Sequence, residues 1–453
     1  MQLALLFFAC FAVNSDHLAA APNLTLISQN FSLSAAERDS LLGALIQFGF
    51  YVSAGLFSVL SGPVIELIDR SKLLAALSAF SSLLACCSAM VPSGRAGYFY
   101  FFLIRVSTGV SVGVALPTAL SLIGDLVPAT QRTTMAAFVT TSCAGGAAIG
   151  QTIAGLSGAS WRQPYFVSAI FSVIACGLCV SILTDPRSGS AEKVKDRDGE
   201  QNSAAGAWGT QSRVSGTKAL SMEDLNWSKF QGVLKVPSNR LIFAQSVPGC
   251  IAWSSIATFL PDFVHKELGF TVKSSTGVLA LFGLSSLVFS FVGSAVGQSI
   301  YNQNRKDLPT FVAACVACGA LPMIVLVLVG STNAFTLILA VLGGCAAAAG
   351  PNFKGMLMNA NPSSDRGTVF AMFNLVDSFG KGLGPTVLVI MTWICGGNRR
   401  VAFAIAFALW FVSAAIAKLL EGTLNEDTLA VEIKQEGPRD QREAFDVLHI
   451  YHG

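Results

Sequence analysis

Charge is what this sequence has least of. Only 12% of its 453 residues are Asp, Glu, Lys or Arg, against roughly a quarter in a soluble globular chain. The formal net charge of +3 is too small to hold a polyanion, so no nucleic-acid partner is expected. Four histidines, none in a metalloprotease-type helix motif, point to no metal site. A P-loop is missing, which excludes ATP as the drive, and no nucleophile constellation stands out, so neither enzymatic chemistry nor a cofactor is expected. The short alternating segments of a membrane β-barrel are missing as well. No Lys or Arg precedes Arg38, whereas a cleaved signal peptide normally starts with a basic region.

What the chain does have is oil. It is 53% hydrophobic with mean hydropathy +0.60, and many apolar runs reach the ~20 residues that cross a hydrocarbon core of about 30 Å. Reading these runs between polar breaks gives twelve spans, near 3–22, 41–61, 72–92, 98–123, 133–156, 164–184, 241–262, 275–298, 309–331, 334–357, 367–394 and 401–420. The expected class is an all-α, multi-pass membrane protein with the bilayer as its first partner. Its 42 glycines suit close helix packing in lipid. Cys176/Cys179 and Cys315/Cys318 have CxxC spacing. They lie inside apolar spans without charged or His partners, so they read as small packing residues.

The spans fall into two groups of six, residues 1–185 and 241–420. Between them, residues 186–240 are rich in Gly, Ser and charge and read as a linker. The linker ends in a surface amphipathic helix: Ser221 is its N-cap, and Trp227, Phe230 and Leu234 recur at helical spacing. Residues 421–453 are a polar tail with eight acids against three bases. An even span count puts both termini on one side. Short loops carry six bases on that side and seven on the other, so the positive-inside rule does not choose between them. Sequons at Asn23 and Asn30 would put the first loop outside, with the termini in the cytosol.

Self-similarity adds more. A shift of 234 residues lays Pro117 on Pro351, Asp125 on Asn359, Pro128 on Pro362 and Arg132 on Arg366. The same shift matches Gly109, Gly146 and Gly150 with Gly343, Gly380 and Gly384. A shift of 235 lays Gly62 on Gly297 and Arg70 on Arg305, and a shift of 239 lays Pro22 on Pro261. The seventh span therefore needs a counterpart in residues 3–22, which are expected to stay in the protein as its first helix. The rival reading is cleavage after the small-residue run at 18–21. Nothing polar precedes the first helix, which suggests a start that lies further upstream.

These motifs resemble the major facilitator superfamily over essentially the whole chain. Gly62, Glu66 and Arg70 match its motif A, with Asp69 where Gly or Asn is usual; the second copy keeps Gly297, Arg305 and Lys306 but has Tyr301 for the acid. Arg105, Gly109 and Gly113 match motif B. Gly146, Gly150 and Gly155 are similar to the glycine-rich motif of antiporters but lack its proline. Asn14, Asp16 and His17 are similar to the N-x-x-D-R signature of spinster-like and related organic-anion carriers. The spacing is one residue shorter, His replaces Arg, and Val112 stands where a Glu is usual. The resemblance implies two pseudo-symmetric six-helix bundles that rock about a midplane site, in a monomer at the plasma membrane or an endolysosomal membrane.

Ionisable residues within spans are costly and mark candidate sites. Asp16 and His17 are candidates for proton coupling, with a packed neutral His17 as the plainer reading. Arg105 is the candidate cavity cation, neutralising Asp16 until an anionic solute arrives. Lys354 is a candidate solute contact. Asp377 and Lys381, four apart on one helix face, either pair structurally or share in binding. Three bases against two acids tilt the set towards anions. At helix ends Gly62, Glu66, Arg70, Asp125 and Arg132 form a candidate conformational latch. Arg305 and Arg366 belong to its second copy, expected to be weaker because Tyr301 and Asn359 replace acids. The expected function is a secondary transporter for a small anionic or amphipathic organic solute, with H+ as a candidate co-substrate. A solute sensor that moves nothing, or a lysolipid- or sphingolipid-type transporter or scramblase, is the rival.

Overall fold

The structure is a computed structural model that describes residues 1–127, 132–158, 160–186, 227–362 and 365–436. The first half consists of α1 (Gln2–Asn14), α2 (Ile46–Leu67), α3 (Arg70–Met90), α4 (Arg95–Leu126), α5 (Arg132–Leu156) and α6 (Gln163–Ser181). A short helix α7 (Trp227–Lys235) precedes the second half. That half comprises α8 (Pro237–Leu268), α9 (Val272–Gln303), α10 (Asp307–Val329), α11 (Ala334–Gly343) with α12 (Ala349–Asn359), α13 (Arg366–Ile394) and α14 (Arg399–Lys418); α15 (Leu424–Glu436) follows. Leucines and valines such as Leu83, Val173, Leu284 and Val292 stand more than half exposed on the outer surface, where lipid replaces water as solvent.

Among the described residues nine helices are long and apolar enough to cross a membrane unaided. The other three spans are α1, α5 and α13, each diluted for a reason. α1 stops at Asn14, α5 is rich in Gly, Ser and Thr, and α13 carries Asp377 and Lys381. The first span is not the continuous helix 3–22 expected from its composition. After Asn14 the chain runs on through i→i+3 bonds, from Ser15 N to Ala12 O (3.1 Å) and from Ala19 N to Asp16 O (3.3 Å). It becomes a 3-10 turn at Ala21–Asn23 and then helix again over Leu24–Asn30. The tenth span is likewise interrupted, by a 3-10 stretch at Gly344–Ala348, just before Pro351, whose ring removes a backbone donor. Arg38–Leu45 is π-helical, a distortion frequent at functional sites.

Local chemistry sets the helix ends. Asp69, unusual for motif A, is the N-cap of α3, accepting from Ser71 N (3.0 Å) and Lys72 N (3.2 Å). Gly269 ends α8 at φ +80°, a left-handed conformation that glycine adopts without strain. Asn23 is buried and donates to Ala154 O (3.0 Å). Asn30 Nδ2 is buried as well, so neither sequon is open to a glycan in this conformation and the sequons do not set the orientation.

The sequence repeat reappears as matched helix crossings. A Cβ added at Gly146 would stand 2.1 Å from Phe11 O, and one at Gly150 1.6 Å from Ser15 O. In the second half, Gly380 faces the Val247 backbone and Gly384 the carbonyl of Ile251, residues that lie 236 beyond Phe11 and Ser15. Glycine at 150 is thus required by contact. Gly150→Ala should destabilise the protein by about 1–3 kcal/mol or more. Gly177→Ala, where a Cβ meets nothing within 4 Å, should be near neutral. Thermal unfolding of the purified variants compares them, and equal midpoints would remove the close-approach argument.

The linker helix expected near 221–237 is present as α7; its proposed N-cap, Ser221, lies outside the described residues. Val233 of α7 is buried against the second half, and its carbonyl accepts from Asn239 Nδ2 (3.0 Å). The described part of the acidic tail is helix α15, seated on the same half through buried Leu424, Thr428 and Val431. Asp427 accepts there from Ser238 N (2.8 Å).

Candidate functional site

The break after α1 frees backbone carbonyls at membrane depth, where an unsatisfied polar group is expensive. Arg105 of α4 answers that need. Its Nη2 donates to Asp16 O (3.2 Å) and His17 O (3.5 Å), and its Nη1 to Asp16 Oδ2 (2.7 Å). The Tyr165 ring lies 5.5 Å from the guanidinium carbon. Asp16 is 1% exposed and Arg105 2%. Arg105 is thus enclosed in the first half, where the break and the carboxylate hold it, paired with Asp16 as expected for a state without solute. Asp16 Oδ1 is buried without a hydrogen-bond partner among the described residues.

His17, next along the break, turns the other way. Its Nε2 lies 2.9 Å from Tyr51 Oη, its ring stacks on Phe50 at 4.5 Å, and it lies within the field of Lys381 of the second half. Tyr51 lies within the same field. In α13 the Lys381 ammonium pairs with Asp377 at 2.6 Å, their side chains being 38% and 22% exposed. Asp377 also accepts from Cys250 Sγ (2.9 Å) and Ser246 Oγ (3.4 Å) of α8. Lys354 of α12 is partly exposed and sits in the fields of Asp377, Lys381 and, across the interface, Cys143. Among the described residues it has no ion-pair partner. A lone ammonium in a span costs about 2.5–3.5 kcal/mol on insertion scales, so an anion arriving at this face is attracted. The structure thus brings His17, Lys354, Asp377 and Lys381 towards one interface and places Arg105 behind it. Cys250 and Tyr51 were missed because neither is charged.

At the end of the bundle that carries the termini, Arg70 is fully buried. It pairs with Asp185 through its backbone and side chain, with Asp125 at 2.7 Å, and donates to Ser121 O at 3.0 Å. Asp185, just beyond α6, went unread, although an acid closing an apolar span was the available signal. The side chains of Glu66 and Arg132 lie outside the described residues. Among the described residues nothing lies within 4 Å of a Cβ added at Gly62. In the second copy the pairing is more exposed than that of Arg70. Arg305 lies 5.5 Å from the Tyr301 ring centre and pairs with Glu432 of α15 at 2.8 and 2.9 Å. The tail helix thus supplies an acid that the repeat lost. Arg366 Nε donates to the carbonyls of Met358 (3.0 Å) and Asn361 (3.3 Å).

The opposite face holds a cluster absent from the sequence reading. Asp262 of α8, its side chain 5% exposed, faces Arg399 (3.0 Å), Lys266 (3.0 Å) and, from the first half, Arg38 (3.6 Å). Thr25 Oγ1 donates to it at 3.4 Å, and Arg38 also pairs with Asp39 at 2.6 Å. Nearby, Gln151 Nε2 donates to Ala257 O across the halves at 2.9 Å. Gly155 lies against Thr276, and Gly43 against Phe259. The two halves are closed together on this face.

The family profile of the Major Facilitator Superfamily matches residues 4–385. No curated protein sequence matches significantly. Among solved structures, a bacterial homologue of the human lysosomal transporter Spinster, inward-facing and unoccupied, aligns with TM-score 0.71 and 14% identity over 94% of this chain and 97% of that one. A D-xylose–proton symporter aligns with TM-score 0.68 and 15% identity over 92% of this chain and 96% of that one. A point mutant of the nucleoside transporter NupG aligns with TM-score 0.62 and 14% identity over 94% of this chain and 98% of that one.

Proposed function

Because the chain belongs to the major facilitator superfamily, we propose that it is a proton-coupled carrier of a small anionic organic solute, working as a monomer by alternating access. The observation that carries this reading is the gathering of His17 from one half and Lys354, Asp377 and Lys381 from the other at their shared interface, at membrane depth. Such a site is reached from one face at a time when two bundles rock about it. Closure around Asp262 on the face away from the termini supports an inward-facing state, with the termini in the cytosol. Asp16, buried and with no hydrogen-bond partner at Oδ1 among the described residues, is the proposed proton carrier. Asn14, Asp16 and Arg105 support a place near the spinster-like carriers, in the plasma membrane or an endolysosomal membrane; His17 and Val112 mark the departure from that branch.

Purified protein in liposomes tests the proposal with labelled organic anions, sugars, amino acids and lysolipids, with and without a pH gradient. The expected result is saturable uptake of an anion, accumulated several-fold when the gradient is present. Binding without flux would make the protein a sensor, and loss of lipid asymmetry a scramblase; either result ends the carrier reading.

A further inference from the structure

Among the described residues, the charged side chains well inside the spans, away from the helix ends, are Asp16, Arg105, Lys354, Asp377 and Lys381, and their balance bears on what the site accepts. Asp16 and Arg105 cancel inside the first half. Asp377 and Lys381 cancel in α13. Lys354 has no ion-pair partner among the described residues, so the set carries one surplus positive charge. Its order in depth follows from the helices. Lys354 is five residues from the end of α12 at Asn359, and Asp377 is eleven residues into α13 from Arg366. At 1.5 Å per residue these are depths of about 8 and 16 Å from the termini side. A solute entering from that side meets Lys354 first, then Asp377 in its cradle of Cys250 and Ser246, then Lys381.

We infer that the site selects its solute by valence: it takes a monovalent organic anion, whose single carboxylate-like group is carried by Lys354, and Asp377 excludes divalent anions. This rests on the carrier reading above and adds the charge class of the solute. The physical basis is the low dielectric of the interface, where unbalanced charge is costly. A monocarboxylate brings the cluster to neutrality. A dicarboxylate leaves it one charge negative with its second group facing Asp377, and a neutral amide leaves Lys354 unpaired. Asp377 is the discriminating residue, because without its charge the surplus rises to two.

The test is thermal unfolding of the purified full-length protein at fixed pH and ionic strength. The probes are propionate, benzoate and phenylacetate, each matched with its amide, and the dicarboxylates succinate and phthalate. At least one monocarboxylate should raise the unfolding temperature at a concentration tenfold or more below that at which its amide or either dicarboxylate acts. Lys354→Gln should abolish the effect and Lys354→Arg keep it. Asp377→Asn, which retains an oxygen acceptor for Cys250 and Ser246, should reverse the preference in favour of the dicarboxylates. The inference is overturned by equal action of an amide or dicarboxylate on the unaltered protein, by inaction of all three monocarboxylates, or by an unchanged response in Lys354→Gln or Asp377→Asn. Its failure is separable from that of the carrier reading. Monocarboxylate binding with this valence pattern but no flux in liposomes removes the carrier and leaves the site; flux of a dianion keeps the carrier and removes the site, whereas flux of only a cation or neutral solute removes both.

Discussion

Arg38→Gln should shift the protein towards states open on the face away from its termini. Arg38 reaches Asp262 from the first half, while Arg399 and Lys266 reach it from the second. When the halves part on this face, Arg38 can leave with Asp39, already paired to it at 2.6 Å, and Asp262 can stay with Arg399 and Lys266. No charge is stranded on either side, so the contact can break and re-form in each cycle at modest cost. The Arg38–Asp262 contact at 3.6 Å is an ion pair without a hydrogen bond, and one whose charges keep other partners when it breaks contributes about 1 kcal/mol, where 1.4 kcal/mol is a factor of ten. The ratio of open to closed should therefore rise roughly fivefold in Arg38→Gln. Arg399→Gln is the internal control. It removes a contact within the second half and should lower the unfolding temperature without moving the ratio. Spin labels at Ala96 and Thr332, in exposed positions at that end of each half, report the separation. The same distance distribution in Arg38→Gln and in the unaltered protein would remove Asp262 as the closing contact.

This cluster also shows where reading the sequence stops. The twelve spans and the repeat are carried by patterns local to one helix or repeated at fixed offset, and such patterns survive in one dimension; Asp16 and Arg105 were legible one by one, each as an ionisable residue inside an apolar span. Asp262 looks from sequence like an ordinary charge at a span end, because its partners come from residues 38 and 399, far apart in the chain. The break after Asn14 was hidden for another reason. The run 3–22 is apolar apart from residues 14–17, which read as functional groups inside a span rather than as a helix end, and the i→i+3 bonds and the arrival of Arg105 at two carbonyls show that the helix has opened there. Glu432 was invisible as a latch residue because it lies in a tail whose composition reads as solvent-exposed. Tyr301 and Asn359 signalled a missing acid, but not that another helix would supply one. Asp69, by contrast, was legible in principle: an acid followed by Ser71 and Lys72 at a helix start is an N-cap, and the motif comparison obscured it.

The largest effects are expected at Asp16 and Arg105, and the two residues should not behave alike. Arg105→Gln strips the counter-charge from a carboxylate that is 1% exposed and weakens the contacts to two carbonyls. Breaking a buried pair from one side costs about 3–5 kcal/mol, enough to lose most folded protein from a marginally stable chain. Asp16→Asn keeps an oxygen for the guanidinium, and Arg105 keeps its carbonyl contacts, so this variant should fold with a smaller loss. The double variant should recover much of what Arg105→Gln loses, because neither charge is then left alone. Transport separates structure from mechanism. If Asp16 carries the proton, Asp16→Asn should still exchange labelled for unlabelled solute across liposomes, a process that needs no net proton movement. It should fail to accumulate solute against a gradient when pH is the drive. Gradient-driven accumulation that persists in folded Asp16→Asn would make the pair a brace for the broken first helix and move the coupling role to another titratable group at the interface. The geometry favours Asp16 because one of its oxygens anchors Arg105 and the other, Oδ1, has no partner among the described residues. A proton added there can weaken the hold on Arg105 without first displacing any other group.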